Sequence, residues 1–164
     1  MSYMLSRLLR YQISIINPFL YRTKAEVVKD AVIHHTKMVP HTVSCWKASR
    51  VSEKNHCGSC IPCLVRRIGI EANGLRLEEY KRDLLGEKIL ALGHEDEGKR
   101  NLVEMAEFIN LFKATKSNGA LQNMFPELNS EYINLEAAIK MYRRFANEAL
   151  HVFDRYPNVK VLLT

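Results

Sequence analysis

All four cysteines of the chain fall within nineteen residues of one another, in the stretch TVSCWKASRVSEKNHCGSCIPCLVRRIG (42–69). Their spacing is Cys45-x11-Cys57-x2-Cys60-x2-Cys63. A C-x2-C loop lets two sulfurs converge on one ion at about 2.3 Å, the Zn–S distance. Two such pairs share Cys60, and Cys45 completes a tetrahedron from a distance. Gly58 removes a side chain between ligands and permits unusual backbone angles. The positive charges of Lys47, Arg50 and Lys54 offset part of the −2 charge of a zinc tetrathiolate. The spacing therefore predicts one four-cysteine zinc site. With every thiolate engaged no position is open for water, so the zinc is structural rather than hydrolytic.

Other chemistries use the same residues. A C-x2-C redox pair sits between a strand and a helix of a thioredoxin-like unit, a pattern missing here. An iron–sulfur cluster takes four thiolates, and the C-x2-C-x2-C run overlaps that of ferredoxins. His41 and His56 can each stand in for one cysteine. Inert core thiols clustered this tightly would be a coincidence.

The 164 residues suit one domain or slightly more, and 47% are apolar, within the globular range. No apolar run approaches the roughly 20 residues of a membrane span, and the N-terminus lacks the apolar stretch of a signal peptide. A cytoplasmic protein is expected. There thiols stay reduced, which favours a metal over a disulfide framework. The net charge is +6. Residues 1–82 carry 14 lysines and arginines against 6 acidic residues, and the remainder carry 10 against 12. The basic half contains the cysteines. Such a face attracts phosphates, of a nucleotide or a nucleic acid.

The elements that must position these groups read as mainly helical. Alternation in 10–16 predicts a short strand stopped by Asn17-Pro18, with no sheet to join. The chain thus reads as beginning at the end of something larger. Thr23 and Glu26 have capping-box spacing, and Ala25, Val28, Ala31 and Val32 make the apolar face of the helix that follows. Pro40 breaks that helix and leads into the cysteine loop, 42–72. Leu64, Val65, Ile68 and Ala72 suit a helix stopped by Asn73-Gly74. A further helical stretch is expected over 75–93, divided at Gly86. The polar run 94–100 divides the chain into 1–93, with the zinc loop, and 94–164, a helical extension. Helices over 101–115 and 130–156 predict an antiparallel hairpin. In the second, Ile133, Ala137, Met141, Phe145 and Leu150 form the inner stripe, broadened by Tyr132, Leu135, Ile139 and Tyr142. Residues 158–164 suit a short final strand.

The motifs TVSCW (42–46) and CGSCIPCLVRRIG (57–69) resemble the C-terminal zinc motif of 7-cyano-7-deazaguanine synthases. Cys45, Cys57, Cys60 and Cys63 match that family's ligands. Arg66 and Gly69 match the arginine and glycine that follow them, and INPFLYRTKAEVV (16–28) places Lys24 and Glu26 on its T-K-x-E-I helix start. The resemblance covers roughly 11–72. It implies the C-terminal part of a larger Rossmann-like α/β enzyme of the adenylating ATP-pyrophosphatase group, a C–N ligase. Such enzymes use ATP to activate the carboxylate of 7-carboxy-7-deazaguanine, which ammonia converts to a nitrile, in queuosine-type pathways or in anti-phage variants. It further implies that Lys24, Arg66 and Arg67 bring positive charge toward ATP phosphates or the carboxylate.

The family's S-G-G-x-D-S phosphate loop has no counterpart among the seven scattered glycines. ATP is therefore expected only in the parent enzyme, with this chain inactive alone and a nucleotide-binding domain or partner chain missing. The helical extension also departs from the family and suits a docking element. A homo-oligomer is left open. The alternative reading is a zinc-stabilised module that binds nucleic acid through the basic half and Trp46, or binds protein through the hairpin, without catalysis.

Overall fold

The computed structural model describes residues 2–48, 56–76 and 80–163. The described residues are mainly helical and contain no strand. The longer helices start where the sequence supplies caps. α2 (Lys24–His35) opens on the expected capping box: the Glu26 amide donates to Thr23 Oγ1 at 3.1 Å, and the Thr23 amide donates to Glu26 Oε2 at 2.9 Å. α3 (Ile61–Glu71) has Cys60 at its N-cap, followed by Ile61-Pro62. It stops at Asn73-Gly74, where Gly74 takes φ +71°. α4 (Glu97–Ala114) is capped by Asp96, which accepts from the Lys99 amide at 2.8 Å. It thus begins inside the polar run 94–100. The connection after α4 holds a short helix, α5 (Asn118–Met124), and a 3-10 turn, Pro126–Asn129. α6 (Leu135–Phe153) is capped by Asn134.

α4 and α6 pack against each other. Their ring contacts run in opposite senses along the two helices, Phe108 reaching Phe145 and Phe112 reaching Tyr142, so the pair is antiparallel. α3 packs on α2, α4 and α6. Gly69 makes the α2 contact close, since a Cβ there would lie 3.0 Å from the Lys24 backbone carbon. One apolar core joins Leu64 and Ile68 of α3 with Leu84, Leu85 and Ile89, with Leu102 and Ile109 of α4, and with Ile139, Val152 and Phe153 of α6. It draws residues from both sides of position 93. Burying each such side chain stabilises by about 1.5–3 kcal/mol.

Several local expectations fail for tertiary reasons. Residues 12–16 form no ladder. The Ile13 amide instead donates to Ser6 Oγ at 2.8 Å, and Tyr11, Ile15 and Ile16 are exposed. Alternation sufficed to suggest a strand, but no second strand lies among the described residues to pair with it. The helix ahead of it, α1 (Ser2–Leu9), was not expected. The stretch 75–93 holds no α-helix among its described residues on either side of Gly86. Residues 77–79 lie outside the described residues, and beyond them come two 3-10 turns, Leu84–Gly86 and Ile89–Ala91. The Lys81 and Arg82 amides are already engaged by the His56 and Cys57 carbonyls, at 3.0 and 3.2 Å, and so are withheld from a helix. The expected final strand is a short helix, α7 (Pro157–Lys160), that buries Val159.

The inner stripe of α6 is rotated from the expected one. Its fully buried residues are Ala138, Ile139, Ala146, Ala149, Val152 and Phe153, while Tyr132 is exposed and Tyr142 and Phe145 lie at the edge of the core. The small alanines let α6 approach its neighbours, and the large rings fill the margins.

Candidate metal centre

Cys45 follows an extended segment that leaves the 3-10 turn Thr36–His41. Cys57 lies in the loop before α3, Cys60 is the α3 cap, and Cys63 is in its first turn. Helix winding and the Gly58 reversal (φ +81°) turn Cys57, Cys60 and Cys63 inward together. All four are buried, and their sulfurs lie within 4.8 Å of one another. Cys57 Sγ and Cys63 Sγ are 3.9 Å apart, as are Cys60 Sγ and Cys45 Sγ. A disulfide requires about 2.05 Å, whereas the sulfurs of a regular tetrahedral zinc site sit about 3.8 Å apart. The donor set fits one tetrahedral metal ion. Neither histidine joins it: His41 is exposed, and His56 packs its ring against Tyr80 at 5.9 Å between centroids.

Amides support the sulfurs. Lys47 N donates to Cys45 Sγ at 3.3 Å and Cys60 N to Cys57 Sγ at 3.4 Å. Burial opposes ionisation of Cys57, but the amides of Ser59 and Cys60 and the Ser59 hydroxyl bring its thiol down to about 6. Burial pushes the Cys60 and Cys63 thiols up, and neighbouring sulfur charge adds to the rise. Glu97 holds the Lys47 ammonium at 2.6 Å and raises its pKa, and the charges of Cys57 and Cys60 add to that rise. Arg50 and Lys54 lie outside the described residues.

The structure gives both arginines after Cys63 internal partners. Arg66 is buried and donates to Thr42 Oγ1 at 2.7 Å and to the Val39 carbonyl at 2.8 Å. It thereby ties the segment leading to Cys45 onto α3, one turn from Cys63. Arg67 points the other way. It donates to Glu71 at 2.7 Å and to the Tyr156 hydroxyl at 2.9 Å, pairs with Asp83, and lies over the rings of Tyr80 and Tyr156. Burial opposes its charge, but Glu71 and Asp83 outweigh that and raise its pKa.

Lys24 stands apart from the cysteines. It lines a cavity of about 500 Å³ with Arg22, Thr23, Met105, Phe108, Tyr142 and others, and none of the cysteines is in the wall. Among the described residues its ammonium has no ion pair.

Sequence reasoning missed the contribution of residues beyond 80. Arg82, Glu97 and Asn101 each contact the cysteine loops, and no local pattern in the sequence announces contacts across 25, 50 and 42 residues.

The family model "Queuosine biosynthesis protein QueC" matches residues 3–74, which includes all four cysteines. A 7-cyano-7-deazaguanine synthase of Paracoccus denitrificans is 34% identical over 64 residues, 39% of this chain and 25% of that protein. The match thus spans a quarter of the relative's length. No solved structure matches the chain. No helix among the described residues is long and apolar enough to cross a membrane. The chain is QueC-like over residues 3–74, a partial match to that family that carries the four-cysteine cluster.

Proposed function

We propose that this chain is the zinc-bearing C-terminal part of a 7-cyano-7-deazaguanine synthase-like, ATP-dependent enzyme, and that its zinc is structural. The observation that carries the reading is the buried cluster of four thiols inside the segment that matches the QueC family. Zinc held by Cys45, Cys57, Cys60 and Cys63 would supply a cross-link between the 42–48 segment and the start of α3. A closed tetrathiolate leaves no site for substrate or water. Arg66 supports the same cross-link by holding Val39 and Thr42.

The nucleotide site belongs, in this reading, to a Rossmann-like unit upstream or on a partner chain. Tyr3, Met4, Leu8, Tyr11, Ile16 and Phe19 are exposed along the N-terminal segment, and an apolar surface of that extent favours a covering partner. Lys24 is the remaining candidate to meet a phosphate or carboxylate, because its ammonium is not paired among the described residues.

Elemental analysis of protein purified without added metal tests the metal. About one zinc per chain is expected. Stoichiometric iron with a brown colour overturns zinc in favour of a cluster. Release of pyrophosphate from ATP by the isolated chain would overturn the placement of the nucleotide site elsewhere.

A further inference from the structure

We propose that the first turns of α4 form a clasp on the metal loop, with Glu97 and Asn101 as positioning residues for the ion. This rests on the reading of the cysteine cluster as a metal centre. The four ligands arrive on two separate stretches, Cys45 on 42–48 and the other three on 57–63. α4 touches both. Lys47, two residues after Cys45, places its ammonium 2.6 and 2.7 Å from the two carboxylate oxygens of Glu97. Ser59, between Cys57 and Cys60, offers its carbonyl to Asn101 Nδ2 at 2.9 Å. Glu97 and Asn101 are four apart, on one face of the helix. Gly98 lies between them, and a Cβ there would come within 3.0 Å of the Ser59 Cβ. The α4 cap also takes part, because Asp96 accepts from the Arg82 guanidinium at 3.0 Å while the Arg82 amide holds the Cys57 carbonyl. One helix start therefore braces both halves of the ligand set.

All of these bracing residues lie beyond 74, where the family match ends. The Lys47–Glu97 pair is part exposed, at 30% and 50% for the two side chains, so it adds little to global stability. Its consequence is geometric. Partners that orient ligands without touching the metal commonly change metal affinity by about 10–100-fold. The clasp acts on how firmly the ion is retained.

The test loads the full chain with cobalt(II) or zinc and follows transfer to a competing chelator. Compared are the parent, Glu97→Gln, Asn101→Ala, the double variant, and Glu136→Gln as a control on an exposed pair of α6. The double variant should release metal about 10–100-fold faster than the parent. The control should match the parent. Glu97→Asp, which keeps the charge, should recover most of the loss. The cobalt–thiolate absorption of the double variant should shift, because ligand geometry and not only lifetime changes. The helical signal should stay that of the parent. Should the double variant fail to fold, the exposed Glu97→Gln substitution alone decides. Parent-like release from a metal-loaded variant overturns the clasp and leaves the metal centre standing. A parent chain that takes up neither metal overturns both.

Discussion

Gly58 has no room for a side chain. Its φ is +81°, and an added Cβ would stand 2.0 Å from the Arg82 carbonyl oxygen and 2.8 Å from the Tyr80 Cβ. The left-handed backbone alone costs a residue with a side chain about 1–3 kcal/mol. The clash adds to this by pushing the 80–82 strap off the Cys57 loop. Gly58→Ala should therefore lower the urea midpoint and weaken zinc binding in a competition titration. Unchanged binding and stability would refute the packed turn. Arg67 offers a second test at this scale. Its partner Glu71 is buried, so Arg67→Ala leaves a buried charge uncompensated, a loss of about 3–5 kcal/mol. A guanidinium that served only a ligand would show no such loss in denaturant unfolding. The cysteine set and the need for glycine at 58 were legible in the sequence, because both are matters of local spacing. The destination of Arg67 was not, since Asp83 and Tyr156 reach it from 16 and 89 residues away.

The capping box of α2 is more than a local device. Glu26 also takes the Arg144 guanidinium of α6 at 2.6 Å, and Arg144 reaches the Tyr21 carbonyl at 2.8 Å. Burial works against the Glu26 charge, but Arg144 and the Thr23 amide outweigh it and hold the carboxyl below its ordinary 4.5. A carboxylate lowered on folding stabilises the native state above its unfolded value. That contribution fades as pH falls through the lowered folded value. Glu26→Gln should therefore cost about 1 kcal/mol at pH 7, the usual size of a lost cap. The gap between variant and parent should narrow on acidification below about pH 4.5. Thermal melts of both proteins from pH 7 to pH 3 check this. A gap that stays constant would mean that the Glu26 charge does not matter. The box itself was readable from Thr23 and Glu26, whereas Arg144, 118 residues on, entered only through the packing of α6 near α2.

The described residues form two separate buried clusters, the apolar core of α3, α4 and α6, and the four cysteines with Ala48 and Tyr80 beside them. The first needs no metal, and the second is mostly sulfur. Structural zinc in small modules binds with about 10–16 kcal/mol, comparable to a domain's whole net stability. Removing it, by chelation or by Cys60→Ser, should open the loop around Lys47 to trypsin while most helical circular dichroism remains. Cys60 is the sharpest choice because both C-x2-C pairs share it. Parent-like digestion of a metal-free variant would mean that the metal is not structural.

The sequence by itself determined the clustering of the four cysteines, the helix start at Thr23, the stop at Gly74, and the helical character of most of 101–115 and 130–156. These follow from spacings of a few residues, within which caps, turns and paired ligands act. Tertiary structure decided the rest. Residues 12–16 alternate like a strand yet find no partner strand among the described residues. Residues 80–91 are apolar enough for a helix, but Lys81 and Arg82 give their amides to the cysteine loop. α6 buries Ala138, Ala146 and Ala149 with Ile139, Val152 and Phe153, and leaves Met141, Tyr142 and Phe145 of the expected stripe at the margin, because the way it packs on neighbouring helices sets which face turns inward. Arg66 closes the Cys45 segment onto α3, and α4 braces the metal loop from beyond the matched family segment. Each of these depends on groups distant in the chain, whose meeting is set by the packing of the whole core and not by any local pattern.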